Sequence, residues 1–167
     1  MSSHLAPAAA MSSLSPQVAI VAHDAKKEDL RCWLERQAEA FSGVRIVATG
    51  HTANVVRRAF GRPAGLGGLP EIESVASGPH GGDQQIGARI VEGTLSALIF
   101  LVDPLNAHPH EADIQALLRV ARLAEIPLAT NLATADLIAA NLALQSAARD
   151  ARTTARALRG HVELAAV

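Results

Sequence analysis

The loop SGPHGGDQQIGARI, residues 77–90, places an isolated carboxylate directly after a glycine-rich turn. Asp83 stands where the polar loop gives way to an amphipathic stretch, so the pattern puts it in the first turn of a helix. The helix dipole stabilises an acid there, which is one sufficient reason for Asp83. The other reason is chemistry, because glycines let the backbone approach a ligand and a carboxylate shielded from water gains basicity. The pattern therefore indicates either a helix-start acid or a general base.

A second segment, DPLNAHPHEAD at residues 103–113, concentrates acids and histidines. His110 precedes an amphipathic stretch and Asp113 follows it by about one helical turn, so both can share one face. A neutral His110 can polarise a carbonyl or shuttle a proton, and Asp113 can orient it. The acids are equally typical of a helix start. The spacing of His108 and His110 matches no recognised metal-ligand motif, and we expect no metal ion.

The segment ATGHTAN, residues 48–54, joins an apolar run to a helix start through a glycine turn. Exposed N–H groups at a helix N-terminus bind anions, and phosphate is the ligand that we expect there. The hydroxyls of Thr49, Thr52 and Ser77 add donors, and Lys27 adds a charge. The alternative is structural, with Thr52 as a helix cap and Lys27 in solvent. Neither a Walker loop nor a dinucleotide fingerprint occurs in the sequence.

Together these groups suit a small phosphorylated carbonyl compound. A carboxylate such as Asp83 removes a proton next to the carbonyl, and a histidine such as His110 stabilises the resulting enediolate. The grip on the phosphate decides the fate of that intermediate. A phosphate in line with the enediolate π system is expelled, whereas a phosphate held in the molecular plane leaves isomerisation as the outcome.

Apolar runs alternate with amphipathic stretches along the chain, which predicts a three-layer α/β domain. We expect a five-stranded, mainly parallel sheet with helices on both faces. The predicted strands are 17–23, 44–49, 71–77, 95–103 and 127–131, and the predicted helices are 26–41, 52–60, 83–92, 110–126 and 133–158. In such sheets ligands bind outside the carboxyl ends of the strands. The groups that follow those ends are His23, Asp24, Lys27, Thr49, Gly50, His51, Thr52, Ser77, Gly78, Asp83, 103–110 and 130–134.

Length and composition limit the classes of function. A chain of 167 residues suits one domain with a sizeable core. The net charge of −1 and the aromatic content of 2% argue against a nucleic-acid partner and an acidic membrane surface. No apolar run approaches the length of a membrane-spanning helix. We expect a cytoplasmic protein in which residues 1–16 form a disordered leader.

Five segments resemble the methylglyoxal synthase family in order and spacing, over residues 18–136. They are VAHDAKK, ATGHTANV, SGPHGGDQQIGA, DPLNAHPHEADIQALLR and IPLATNLATAD. The resemblance implies a carbon–oxygen lyase that converts dihydroxyacetone phosphate to methylglyoxal and inorganic phosphate without a metal or cofactor. It also implies a homohexamer that inorganic phosphate inhibits allosterically. The catalytic domain would span 17–141, and 142–167 would form a divergent helical segment.

The resemblance assigns roles to the candidate residues. Asp83 would be the base, His110 the electrophilic partner and proton shuttle, and Asp113 the acid that supports them. His23, beside Asp24, matches a substrate-contacting histidine. The matching substrate and phosphate contacts are Lys27, Thr49, Gly50, Thr52, Ser77 and Gly78.

Three features depart from the family pattern. His51 stands where the family has threonine in its phosphate turn, and imidazole can donate to phosphate but is larger. The segment RPAGLGGL, residues 62–69, is an insertion, and the chain after Asn141 lacks the last strand and the PDY motif of the family. The family also brings a phosphate-contacting arginine from a neighbouring subunit. The candidates for that residue are Arg152, Arg156 and Arg159.

Other functions are open to the same residues. The fold also serves as a non-catalytic effector-binding domain in large carbamoyl-phosphate synthetases, where the catalytic acid and histidine need not be kept. The presence of Asp83, His110 and Asp113 in this chain favours the enzyme. A related isomerase or an aldolase-like enzyme would form a sugar phosphate in place of free phosphate.

Overall fold

The computed structural model describes residues 16–61, 69–107 and 109–164, and beyond residue 154 it describes the helix backbone alone. The strands are β1 Gln17–Ala22, β2 Arg45–Thr49, β3 Glu71–Val75, β4 Ala97–Leu101 and β5 Leu128–Ala129. The helices are α1 Lys27–Arg36, α2 Gly50–Phe60, α3 Gly82–Val91, α4 Glu111–Leu123 and α5 Leu132–Leu164. Within the described residues the five strands form one sheet in the order β3-β2-β1-β4-β5, and every pairing is parallel. The predicted α/β fold is confirmed, and its sheet is wholly parallel.

The sheet is buried on both faces, and β1 shows why its sequence is an unbroken apolar run. All six residues of β1 are buried. Val18 and Ile20 point to the cluster that α1, α2 and α5 cover, where Trp33 is also packed. Ala19 and Val21 point to the opposite cluster, beneath α3 and α4. One central strand therefore contributes to both hydrophobic layers.

The strand order places the topological switch point between β1 and β4. From β1 the chain moves outward through β2 and β3, and it then crosses to β4 and β5 on the other side. The connections after β1 and β4 diverge, which opens a crevice at the carboxyl ends of these strands. His23 follows β1 there, and its N–H donates to the Leu101 carbonyl at the end of β4 at 3.1 Å. Two of the predicted site segments meet at this point.

The first helix is shorter than the sequence periodicity predicts. α1 ends at Arg36, and Ala38–Phe41 forms a separate 3-10 turn. Phe41 is buried and its ring lies edge-on to Trp33, with the ring centroids 5.8 Å apart. Tertiary packing of these two rings decides the local backbone, because the apolar spacing alone fits a continuous helix.

The start of α2 differs from the prediction in a way that changes the role of Thr52. The helix begins at Gly50 with Thr49 at the N-cap position, so Thr52 lies inside the first turn and does not cap it. The buried Thr52 hydroxyl accepts the Ala22 N–H at 3.4 Å and the Thr49 hydroxyl at 3.2 Å. This side chain ties the start of α2 to the end of β1.

The last helix, α5, continues through residue 142, where we placed the boundary between the catalytic domain and the C-terminal segment. Ile138 and Leu142 are buried on the domain, whereas Arg152 is exposed on the same helix. The side chains of Arg156 and Arg159 lie outside the described residues, as do 1–15 of the predicted leader and 62–68 of the predicted insertion.

Pro16, the last residue of the predicted leader, is buried, and its carbonyl accepts the Arg45 N–H at 2.9 Å. None of the helices in the described part of the chain has the length and apolar character that crossing a membrane requires.

Candidate active site

Asp83 and His110 come from different elements and meet at the carboxyl end of the sheet. Asp83 is the second residue of α3, and His110 is the N-cap residue of α4. The Nε2 atom of His110 lies 3.6 Å from Oδ2 of Asp83. Asp83 is only 2% exposed, and within the described residues neither of its carboxylate oxygens accepts a hydrogen bond. A buried carboxylate held in this way is available to a ligand.

The glycines of the loop before α3 make this approach possible. A Cβ on Gly78 would lie 3.0 Å from both Oδ2 of Asp83 and Nε2 of His110. A Cβ on Gly82 would lie 2.0 Å from the Ala76 carbonyl oxygen, which no folded chain tolerates. The absence of side chains in this glycine-rich turn therefore lets its backbone pack directly against the acid–histidine pair.

The electrostatic surroundings favour Asp83 as a base. Burial raises the pKa of the Asp83 carboxyl above its usual range, because the charged form loses solvation. His110 opposes this rise in the pKa, and the nearby carboxylate of Asp113 adds to it. A carboxylate with a raised pKa is a stronger base, as proton abstraction from carbon requires.

Two glutamines that the sequence analysis did not select hold the site together. Gln84 Nε2 donates to Oδ1 of Asp113 at 2.7 Å, which links α3 to α4 directly beside the acid–histidine pair. Gln85 Oε1 accepts the Ala76 N–H at 2.8 Å and anchors the start of the glycine-rich turn. Their position immediately after Asp83 in the sequence was the available signal. Asp113 thus has a positioning contact in addition to its predicted support of the pair.

His23 faces the site from the end of β1. The Asp103 backbone N–H donates to Nδ1 of His23 at 2.9 Å, so the neutral ring carries its proton on Nε2. The rings of His23 and His110 lie edge to face, with centroids 6.5 Å apart. The Asp103 carboxylate accepts the Leu105 N–H at 3.1 Å and a hydrogen bond from the Asn106 amide, which orders the connection after β4. His23 is therefore a buried N–H donor of defined tautomer beside His110.

The predicted anion site lies at the N-terminus of α2. A Cβ on Gly50 would lie 3.6 Å from the Ser77 nitrogen, so the start of α2 packs closely against the loop after β3. The Gly50 N–H also donates to the Ala76 carbonyl at 3.4 Å. Ser77 and Gly78 consequently lie between the positive end of α2 and Asp83. An anion held at this helix end would lie next to the acid.

Lys27 and Asp24 form an ion pair across the short turn after β1. The hydrogen bond from Lys27 is the largest cause that holds the pKa of Asp24 below its usual range, and His51 contributes to the same effect. His51 is exposed on the first turn of α2. The turn after β1 and the start of α2 therefore lie side by side. The sequence left open whether Lys27 is solvated or binds phosphate, and in the structure it pairs with Asp24.

The structure brings the predicted site residues to one edge of the sheet, with Thr52 as the residue whose hydroxyl turns toward the β1 backbone. Within the described ranges, no group of three His, Cys, Asp or Glu side chains is arranged to hold a metal ion. His108 lies outside the residues that the structure describes.

Known proteins are similar to this chain in sequence. The family model of the MGS-like domain matches residues 34–130. The methylglyoxal synthase of Oleidesulfovibrio alaskensis is 46% identical over 121 residues, which cover 72% of this chain and 78% of that protein. The methylglyoxal synthase of Clostridium botulinum strain Alaska E43 is 44% identical over 122 residues, which cover 73% of this chain and 96% of that protein.

A solved structure agrees with these sequence matches. The crystal structure of methylglyoxal synthase from Elizabethkingia anophelis NUHP1 superposes with a TM-score of 0.65 at 36% identity, over 75% of this chain and 77% of that chain. The match of the family model includes both Asp83 and His110. On the family model, the relatives and the fold together, this chain belongs to the methylglyoxal synthase family.

Proposed function

We propose that this chain is a methylglyoxal synthase, a carbon–oxygen lyase that converts dihydroxyacetone phosphate to methylglyoxal and inorganic phosphate. The observation that carries the proposal is the 3.6 Å approach of His110 Nε2 to the buried Asp83 carboxylate. This pair lies beside a helix N-terminus that suits a phosphate group. The activity in the names of the relatives supports the same reaction.

In the first step Asp83 removes a proton from the hydroxymethyl carbon of the substrate. The C–H electron pair forms a carbon–carbon double bond, and negative charge develops on the former carbonyl oxygen. His110 and the Nε2–H of the buried His23 stabilise that charge as hydrogen-bond donors. The raised pKa of Asp83 matches its role as base.

In the second step the hydroxyl on the deprotonated carbon passes its proton to the neighbouring oxyanion and becomes the aldehyde carbonyl. The electron pair of the carbon–carbon double bond shifts toward the phosphate-bearing carbon and breaks its bond to the phosphate oxygen. Phosphate leaves, and the enol form of methylglyoxal remains and tautomerises to the product. One proton leaves carbon through Asp83 and one is delivered to the departing phosphate, so no net proton is consumed. His110 lies beside the carboxyl group and carries this proton.

The phosphate grip favours elimination over isomerisation when it holds the C–O bond in line with the enediolate π system. The positive end of α2 supplies the main anion site. Thr52 contributes there through its backbone N–H, because its hydroxyl bonds to Ala22. The proposed phosphate and substrate contacts are Asp24, Lys27, Thr49, Gly50, His51, Thr52, Ser77 and Gly78.

The proposal extends to properties that the family resemblance implies. They are a cytoplasmic location, a catalytic domain over 17–141, a homohexamer and inhibition by inorganic phosphate. Asp113 supports the acid–histidine pair. One arginine of the C-terminal helical segment would reach the site of a neighbouring subunit, and Arg152 is exposed on that helix.

The test is an assay of purified protein with dihydroxyacetone phosphate and no added cofactor. Methylglyoxal and inorganic phosphate should appear in equal amounts. Asp83→Asn should lower turnover by about 10²–10⁴-fold, because it removes the base, while the unfolding transition stays cooperative. A sugar phosphate product would indicate an isomerase or aldolase, and ligand-dependent stabilisation without any product would indicate an effector-binding domain.

A further inference from the structure

The His80 side chain takes no part in the proposed reaction, although it lies in the loop that precedes Asp83. His80 is exposed at the end of the short turn Gly78–His80. Its Nδ1 atom lies 2.8 Å from the hydroxyl oxygen of Ser77, which is a hydrogen-bonding distance. Ser77 is one of the proposed phosphate contacts.

The backbone of this loop holds His80 and Ser77 at a defined separation. The Ser77 carbonyl accepts the N–H of His80 at 2.9 Å and the N–H of Gly82 at 3.0 Å. The residue before Ser77 is anchored in turn by the hydrogen bond between the Ala76 N–H and Gln85. The contact between imidazole and hydroxyl therefore belongs to a closed, hydrogen-bonded turn.

Ser77 lies between the start of α2 and the pair formed by Asp83 and His110. On one side Ser77 packs against Gly50 at the start of α2, since a Cβ added to Gly50 would lie 3.8 Å from the Ser77 Cβ. On the other side it precedes Gly78, which lies against Asp83 and His110. A phosphate oxygen bound by the Ser77 hydroxyl would lie between the helix end and the base.

The direction of the hydrogen bond decides what the Ser77 hydroxyl can donate to. If Nδ1 of His80 accepts, the single O–H of Ser77 is used on the imidazole. If Nδ1 carries the proton and donates, the O–H of Ser77 is available to an anion. An anion beside Ser77 stabilises the second arrangement, because each donor in the chain polarises the next.

We propose that His80 is a positioning residue for phosphate binding. Its Nδ1–H donates to the Ser77 oxygen and thereby directs the Ser77 O–H to a phosphate oxygen. The identity of the substrate rests on the proposed function, whereas the binding of inorganic phosphate tests the inference independently of turnover.

Three substitutions of His80 separate the donor from other contributions of the side chain. His80→Leu removes the hydrogen bond, His80→Asn keeps an N–H donor near the place of Nδ1, and His80→Asp leaves only an acceptor. The measurements are the Kd for inorganic phosphate by calorimetry, and KM and kcat for dihydroxyacetone phosphate. We expect His80→Leu to weaken phosphate binding and raise KM about fivefold with little change in kcat. His80→Asn should restore binding to within about twofold, and His80→Asp should bind phosphate more weakly than His80→Leu.

The control is the uncharged pair His80→Leu and His80→Asn in a Ser77→Ala background, where both should share one Kd because the coupled hydroxyl is gone. Wild-type affinity in His80→Leu, equal loss in His80→Asn and His80→Leu, or persistence of the differences in Ser77→Ala would each overturn the inference. If the protein forms methylglyoxal but the His80 variants keep the wild-type Kd for inorganic phosphate, the role of His80 is refuted and the proposed function stands. The expected affinities without methylglyoxal formation would support it and refute the proposed function.

Discussion

The His110 imidazole lies 3.6 Å from the Asp83 carboxylate because the connections after β3 and β4 converge on the backbone of Gly78. The acid begins α3 and the histidine precedes α4. These two helices pack together through buried side chains such as Ile86 and Leu117. The distance between the acid and the histidine thus depends both on the approach of the Gly78 backbone and on the packing of α3 against α4.

A methyl group at position 78 should disturb this distance. The Cβ of Gly78→Ala would lie 3.0 Å from atoms of both Asp83 and His110, so the pair must move by a few tenths of an ångström. We expect turnover to fall about tenfold or more, since small displacements of reacting groups are costly. Steady-state kinetics with dihydroxyacetone phosphate measure the effect.

Gly87→Ala is the matched control for that substitution. Gly87 lies inside α3, and a Cβ there would have its nearest contact at 4.0 Å, with Leu117. Turnover should be unchanged, and the free energy of unfolding should rise by about 0.5–1 kcal/mol, because alanine favours a helix interior. Equal turnover in the two alanine variants would show that the approach of Gly78 has no catalytic consequence.

The buried Asp83 should leave a signature in the pH dependence of stability. Its folded-state pKa is raised above the unfolded value, so the folded protein binds this proton more tightly. Ionised Asp83 therefore destabilises the fold at neutral pH, and the penalty disappears as the pH falls through the raised pKa toward the unfolded value of about 4. The stability of Asp83→Asn relative to wild type should be more favourable at pH 7 than at pH 4.

Thermal or urea unfolding of both proteins at the two pH values measures this difference. The comparison cancels the pH dependence of all other groups that the substitution leaves unchanged. A difference between the two proteins that is constant with pH, or larger at pH 4, would contradict a raised pKa for Asp83.

Substitutions of Thr52 should mainly affect stability, whereas substitution of Lys27 should mainly affect phosphate binding. The Thr52 hydroxyl is buried against Ala22, so Thr52→Val should lower the free energy of unfolding by about 1 kcal/mol. Thr52→Ser should retain most of that stability. Lys27→Met should change stability little, because the Asp24 side chain of its ion pair is 93% exposed, so that water screens the attraction. The same substitution should weaken phosphate binding about tenfold.

Calorimetry with inorganic phosphate and unfolding curves on the same preparations test this separation. Weak phosphate binding with wild-type stability in Thr52→Val would place its hydroxyl on the ligand and not on β1.

Asp136 should fasten α5 to α1. Its Oδ1 accepts hydrogen bonds from Trp33 Nε1 at 2.7 Å and from Gln37 Nε2 at 3.0 Å. Asp136→Ala removes both bonds and should lower the free energy of unfolding by about 1–2 kcal/mol. Because Trp33 is the only tryptophan in the chain, its fluorescence reports on this contact directly. Asp136→Asn keeps the acceptor oxygen, and an emission change as large as that of Asp136→Ala would argue against the bond.

Much of the fold could be predicted because hydrophobic periodicity is a local property of the chain. The predicted strands and helices are all found, since a continuous apolar run such as QVAIVA is typical of a strand buried on both faces of a parallel sheet. Errors occur where packing decides, as at the 3-10 turn Ala38–Phe41 and at the early start of α2 at Gly50. There the backbone follows contacts with residues far away in the sequence.

The placement of the candidate site could be predicted for a related reason. In a parallel sheet every carboxyl end lies on the same edge, so polar residues that follow strands gather without any knowledge of strand order. The contacts of these residues could not be predicted in the same way. The hydrogen bond from Gln84 to Asp113 and the ion pair of Lys27 with Asp24 depend on side-chain directions that spacing does not specify.

By itself the amino-acid sequence determined which segments become strands and helices, and that an acid, histidines and the N-terminus of a helix lie at one edge of the sheet. Those features follow from residue spacing along a single strand or helix. Only the tertiary structure decided that β1 and β4 are neighbours, that His23 takes its tautomer from the Asp103 backbone, and that the Thr52 hydroxyl faces β1. These outcomes depend on the relative placement of distant segments, which is settled by packing the whole core at once.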